Sequence, residues 1–152
     1  MINQLIERPD IVSDNRLHKI YVQLESLLIE LNKRELPQEI SNSINEHIDA
    51  LNAMPDSKRE LRIQIRTRQS KIIGLLEKDL KIVTKNYYRG VWLALGIAIG
   101  LPMGVALGSA AGNMGYMAIG MLFGMVGGMA YGGNLDKKAF KEGRQLDIEI
   151  KN

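Results

Sequence analysis

The side chains of this chain best suited to binding are its cations, and they fall in separate groups. Arg59, Arg62 and Arg66 recur at spacings of three and four, with Arg68 and Lys71 close behind, so on a helix the three arginines share one face. A guanidinium offers a fork of N–H donors that matches phosphate or carboxylate, which makes these three a candidate anion or partner patch. The plainer alternative is that they pair with acidic neighbouring helices or stay solvated. Lys81, Lys85 and Arg89 stand just before a long uncharged stretch, and Lys137 and Lys138 stand just after it. Those five are candidates for lipid head groups. A straight helix at 1.5 Å per residue puts Arg66 roughly 36 Å from Gly90, several Debye lengths of ~8 Å, so the arginine patch is not expected to read a membrane surface. No aromatic residues are interleaved with it, which argues against nucleic acid.

Little else in the chain points to chemistry. His18 and His47 lie in different helical segments with no acid at a matching spacing, so no metal site is expected. Cysteine is absent, which excludes disulfides, thiolate ligands and cysteine nucleophiles. There is no G-x-S-x-G, no phosphate loop and no paired-carboxylate arrangement. The expectation is a non-enzymatic protein with no cofactor.

What positions the lysines is the stretch between them. From Gly90 to Leu135, 46 residues carry no charge, about right for two spans of ~20 residues across a ~30 Å hydrocarbon core. The spacing places one span from Val91 to about Ala111, a turn near Gly112, Asn113, Met114 and Gly115, and a second span from about Tyr116 to Tyr131. Glycines recur at every fourth position: Gly96, Gly100, Gly104, Gly108 and Gly112, then Gly120, Gly124, Gly128 and Gly132. In lipid, small residues at that period let helix backbones approach closely. The two stripes would zip against each other in one hairpin or against a neighbouring copy. Ala94, Ala98, Ala106, Ala110, Ala118 and Gly127 leave further small surfaces for a homo-oligomer. Pro102, in mid-span, predicts a kink. Tyr87, Tyr88, Trp92 and Tyr131 would form interfacial anchors at one end, with Tyr116 at the other. Basic residues flank both ends of the stretch and none lies at the turn, which predicts both termini in the cytoplasm. The spans hold no ionisable side chain, which argues against a proton relay or charged filter.

The rest of the chain reads as helices. Leu17, Ile20, Tyr21, Leu24, Leu27, Leu28 and Leu31 mark one apolar face over about Asp14–Glu35, with Ser13, Asp14 and Asn15 for the N-cap. Ile40, Ile44, Ile48 and Leu51 mark a shorter helix from Pro37 to Met54. After a break at Pro55 and Asp56, Ser57 and Glu60 form a capping-box pattern. The third helix then has no proline before Tyr88 and, if unbroken, is roughly 48 Å long. Residues 1–56 hold ten acids against five bases, and 57–89 hold ten bases against three acids, so the two blocks can neutralise each other by packing. Nothing after Met1 has the build of a signal peptide. The fold class expected is all-α: a cytoplasmic three-helix bundle (1–89), a transmembrane hairpin (90–135) and a charged tail (136–152).

The run Asn86-Tyr87-Tyr88-Arg89, Trp92-Leu93-Ala94-Leu95-Gly96, Gly100-Leu101-Pro102, Gly112-Asn113-Met114, Leu135-Asp136-Lys137-Lys138-Ala139 and Glu142-Gly143-Arg144-Gln145-Leu146-Asp147 resembles small bacterial membrane proteins described as glycine-zipper family proteins. The resemblance covers the C-terminal two-fifths of the chain. It implies a bacterial, membrane-integrated protein of unassigned activity; the inner membrane is the location expected for it. Together these readings predict a membrane-anchored assembly or interaction module, with the bilayer, further copies of itself and a protein docking on the cytoplasmic bundle as partners. A pore-forming or membrane-perturbing effector, and an immunity-type protein against a membrane-acting toxin, stand as alternatives.

Overall fold

The computed structural model describes residues 1–55 and 57–150; Asp56, expected in the break after Pro55, lies outside them. Among the described residues the fold is all-helical: a 3-10 turn at Pro9–Ser13, then α1 (Asn15–Asn32), α2 (Gln38–Asn52), α3 (Lys58–Leu80), α4 (Tyr87–Ala111) and α5 (Gly115–Lys141). The chain divides into two compact units, one of residues 1–82 with 146–152 and one of residues 83–145.

In the first unit α3 packs against α1 and α2. Of the apolar faces expected from spacing, Leu17, Leu24, Leu27 and Leu31 of α1 and Ile44 and Ile48 of α2 are buried, and they share one core with Ile65, Ile72 and Leu76 of α3, while Tyr21 packs against that core only partly buried. Leu146, after α5 in the chain, is buried in the same core. Asp14 caps α1, its side chain accepting from the backbone N–H of Arg16 at 3.0 Å and of Leu17 at 3.1 Å. That satisfies two of the donors a helix start leaves without partners. Ser57 stands at the start of α3 but makes no side-chain cap bond, so the expected capping box is not formed.

The third helix does not run on to Tyr88. It ends at Leu80, where Lys81 adopts a left-handed conformation (φ 57°) and its N–H bonds back to the Glu77 carbonyl at 3.1 Å. The reason lies in the next residues. Ile82, Val83 and Thr84 are a run of β-branched side chains, which lose rotamer freedom in a helix and favour extended backbone. Val83 makes a parallel bridge with Gln145, and its N–H bonds to the Arg144 carbonyl at 2.9 Å.

In the second unit α4 and α5 form a hairpin. Gly112 ends α4 at φ 64°, a conformation glycine adopts without penalty, and the Asn113 N–H bonds back to the Gly108 carbonyl at 3.0 Å. Gly112 therefore belongs to the turn and, with no atom near a Cβ built on it, not to a packing stripe. Helix α4 continues through Pro102. Among the described residues one helix, α4, is long and apolar enough to cross a membrane, where two were expected. The shortfall in α5 has a compositional cause: it carries seven glycines and two tyrosines, which dilute its hydropathy, and its last turns are charged.

Candidate functional site

The glycine stripes of α4 and α5 face each other within the hairpin. A Cβ on Gly104 would lie 2.6 Å from the Tyr116 carbonyl oxygen and 2.8 Å from the Met117 Cα. One on Gly120 would lie 2.6 Å from the Gly104 Cα, and one on Gly132 would lie 2.7 Å from the Arg89 Cα. Gly96, Gly100, Gly124 and Gly128 are closed off by opposing backbone in the same way, and Gly108 approaches Asn113. The buried residues of α4 are Gly100, Gly104 and Gly108, while Leu95, Ile99, Met103 and Leu107 are exposed. On α5, Ile119, Leu122, Phe123 and Val126 are exposed as well. An apolar groove of about 570 Å³ runs along one side of the pair, from Trp92 and Tyr131 at its base to Tyr116.

The end of the hairpin away from the turn collects its polar groups. The four-residue period of α5 continues past Gly132 to Asp136, which puts that carboxylate against the start of α4. Asp136 is buried, its Oδ1 accepting from the Tyr88 N–H at 3.1 Å and its Oδ2 from the Arg89 N–H at 2.9 Å. Asn86, the residue before α4, makes no side-chain cap bond, so the cap comes from the opposite helix and places a negative charge at a positive helix end. The sequence signal for it is the four-residue period itself, which runs past the last glycine to an acid.

The expected anchors meet here in pairs. The Trp92 and Tyr131 rings pack edge to face with centroids 4.3 Å apart, and those of Tyr87 and Tyr88 do so at 5.3 Å. Of the five expected head-group residues, Lys85, Arg89 and Lys137 line one cavity of about 400 Å³, joined by Lys141 and Phe140. Lys81 and Lys138 do not line it. Lys138 lies 4.0 Å from Glu142, and Glu142 also pairs with Arg144. The Arg144 hydrogen bond holds the Glu142 carboxyl below its usual range.

The arginine patch lies on α3, with Arg59 and Arg66 exposed and Arg62 half-buried. Arg62 and Lys58 add to the backbone hydrogen bonds that lower the Asp14 carboxyl, an instance of the acidic and basic blocks meeting. Nearby, Arg68 Nη1 stands 3.5 Å from His47 Nδ1. Partial burial, and after it the charges of Arg68 and Lys71, lower the His47 pKa from its ordinary value.

Asn45 and Asn52, which sequence reasoning passed over, hold residues 1–6 onto α2. Asn45 accepts from the Asn3 N–H at 2.7 Å and donates to the Met1 carbonyl at 3.2 Å. Asn52 accepts from the Ile6 N–H at 3.0 Å and donates to the Gln4 carbonyl at 3.0 Å. Each amide pairs with the backbone much as a neighbouring strand would, and the seven-residue spacing puts both on one face. No group of histidines and acids that could hold a metal occurs among the described residues. Comparison with protein families, with curated proteins and with solved structures gives no match.

Proposed function

We propose that the chain is a small, non-enzymatic membrane protein in which α4 and α5 cross a bilayer as a hairpin and the first unit serves as the interaction module. The observation that carries this reading is that the hairpin is packed the wrong way round for water. Its contact face is glycine and backbone, while Leu95, Ile99, Met103, Leu107, Leu122 and Phe123 are left exposed. In water, large apolar side chains drive association by leaving the solvent, and an exposed apolar surface of this extent marks an interaction site or a membrane. In lipid that force is absent and close backbone packing over small residues takes its place. The glycines that lower the hydropathy of α5 add no polar side chain, so they do not argue against its lying in hydrocarbon.

The basic residues at the base of the hairpin favour a cytoplasmic location for both termini in a bacterial inner membrane. Self-association needs a face other than the stripes, which already cover each other; the exposed Ala94, Ala98, Ala106, Ala110, Ala118 and Gly127 supply one. Alkaline carbonate extraction of membranes from cells making the full chain tests the reading. The protein is expected to stay with the lipid pellet, and its release to the supernatant would end the proposal.

A further inference from the structure

We propose that the cavity bordered by Lys85, Arg89, Lys137, Lys141 and Phe140 is a binding site for the phosphodiester of a single anionic lipid. This assignment rests on the membrane reading and sharpens it, from a basic flank that any acidic surface attracts to a site that fills at one lipid per chain.

Four cations border one cavity of about 400 Å³. Lys137 and Lys141 are four residues apart on α5 and so share a face; Lys85 and Arg89 bracket the start of α4 with the same separation. Arg89, Lys137 and Lys141 alone bring three positive charges to one place, and an anion among them relieves their mutual repulsion. The carboxylate that lines the cavity, Asp136, has its two oxygens committed to the Tyr88 and Arg89 N–H groups. Two consequences follow: Asp136 is directed at backbone rather than at the lysines, and those amides are not open to a ligand, so the anion is held by side chains. Glu142, the nearest other acid in sequence, is occupied by Lys138 and Arg144, which do not line the cavity.

Two further features select a lipid over a soluble phosphate. Phe140 is 71 % exposed at the cavity edge, where a glycerol backbone and the start of an acyl chain would cover it and inorganic phosphate would not. Gly133 also lines the cavity, and a Cβ built on it meets no atom within 4 Å, so the wall has room for a group larger than phosphate.

The test uses the full chain purified in a neutral detergent and titrated by calorimetry with dioctanoyl phosphatidylglycerol, dioctanoyl phosphatidylcholine and inorganic phosphate. Phosphatidylglycerol is expected to saturate at one molecule per chain, and phosphatidylcholine, whose choline meets the cations, to bind at least about tenfold more weakly. Replacing both Arg89→Gln and Lys141→Gln should weaken phosphatidylglycerol at least about tenfold, while Lys78→Gln, an exposed α3 residue, leaves it unchanged. Unchanged Trp92 emission in the double variant shows that the hairpin is intact. Equal binding of the two lipids, wild-type affinity in the double variant, or inorganic phosphate binding as tightly as phosphatidylglycerol would each overturn the site. If the chain still resists carbonate extraction in that case, only this site fails and the membrane reading stands.

Discussion

Asp136 supplies to α4 what the residues ahead of that helix do not. Its carboxylate satisfies two N–H groups at the start of α4 from a position 47 and 48 residues further along the chain. Truncating it leaves two part-buried donors at a helix start without their cap, and losing a helix cap costs about 0.5–2 kcal/mol. Asp136→Ala should therefore lower the thermal midpoint of the detergent-solubilised chain, with Asp136→Asn losing less because one amide oxygen still accepts. Equal midpoints for wild type and Asp136→Ala would remove the cap from the account. His47 makes a second prediction at this scale. Its folded pKa lies below the ordinary 6.5, so just under that value the unfolded chain binds more protons than the folded one and stability rises with pH. The contribution is fully present above about pH 6.5 and is lost as the pH falls toward the lowered folded value. Urea unfolding at pH 7.5 and 5.5 should show a smaller loss in His47→Gln than in wild type. An identical loss would mean that other groups carry it.

Among the elements, the hairpin was the most legible in sequence and the end of α3 the least. A four-residue glycine period and a gap between charges are patterns along one dimension, and both survive folding unchanged. The stripes' choice of each other over a neighbour was not legible, because one period serves either geometry. The end of α3 at Leu80 is not legible from the absence of proline; it follows from the β-branched run Ile82-Val83-Thr84, which favours extended backbone. Asn45 and Asn52 were invisible because their partners lie 42 to 48 residues away in sequence. The stripes predict a sharp contrast between two glycines. Gly104→Leu drives a side chain into Tyr116 and Met117 backbone, whereas Gly127 faces open space. The first should cost roughly 3 kcal/mol or more as an overpacked contact and shift the emission of the single tryptophan, Trp92. Gly127→Leu, on the face offered to a second copy, leaves the contact between the stripes in place and should lower the melting temperature far less, and equal melting of the two variants would contradict the packing.

At the scale of the whole molecule, two units with opposite burial rules share one chain. The first buries leucine and isoleucine and exposes charge, while the second buries glycine and exposes leucine, methionine and phenylalanine. That inversion is what a chain needs if one unit is solvated by water and the other by lipid, and it follows from composition once α4 and α5 are paired. The most direct test exploits the absence of cysteine: single cysteines at Ser70, Asn113 and Lys138, probed with a membrane-impermeant maleimide before and after permeabilisation. The account predicts that Asn113→Cys labels in intact cells, while Ser70→Cys and Lys138→Cys label only once the membrane is opened. Labelling of all three from the same side would contradict a hairpin that crosses the bilayer.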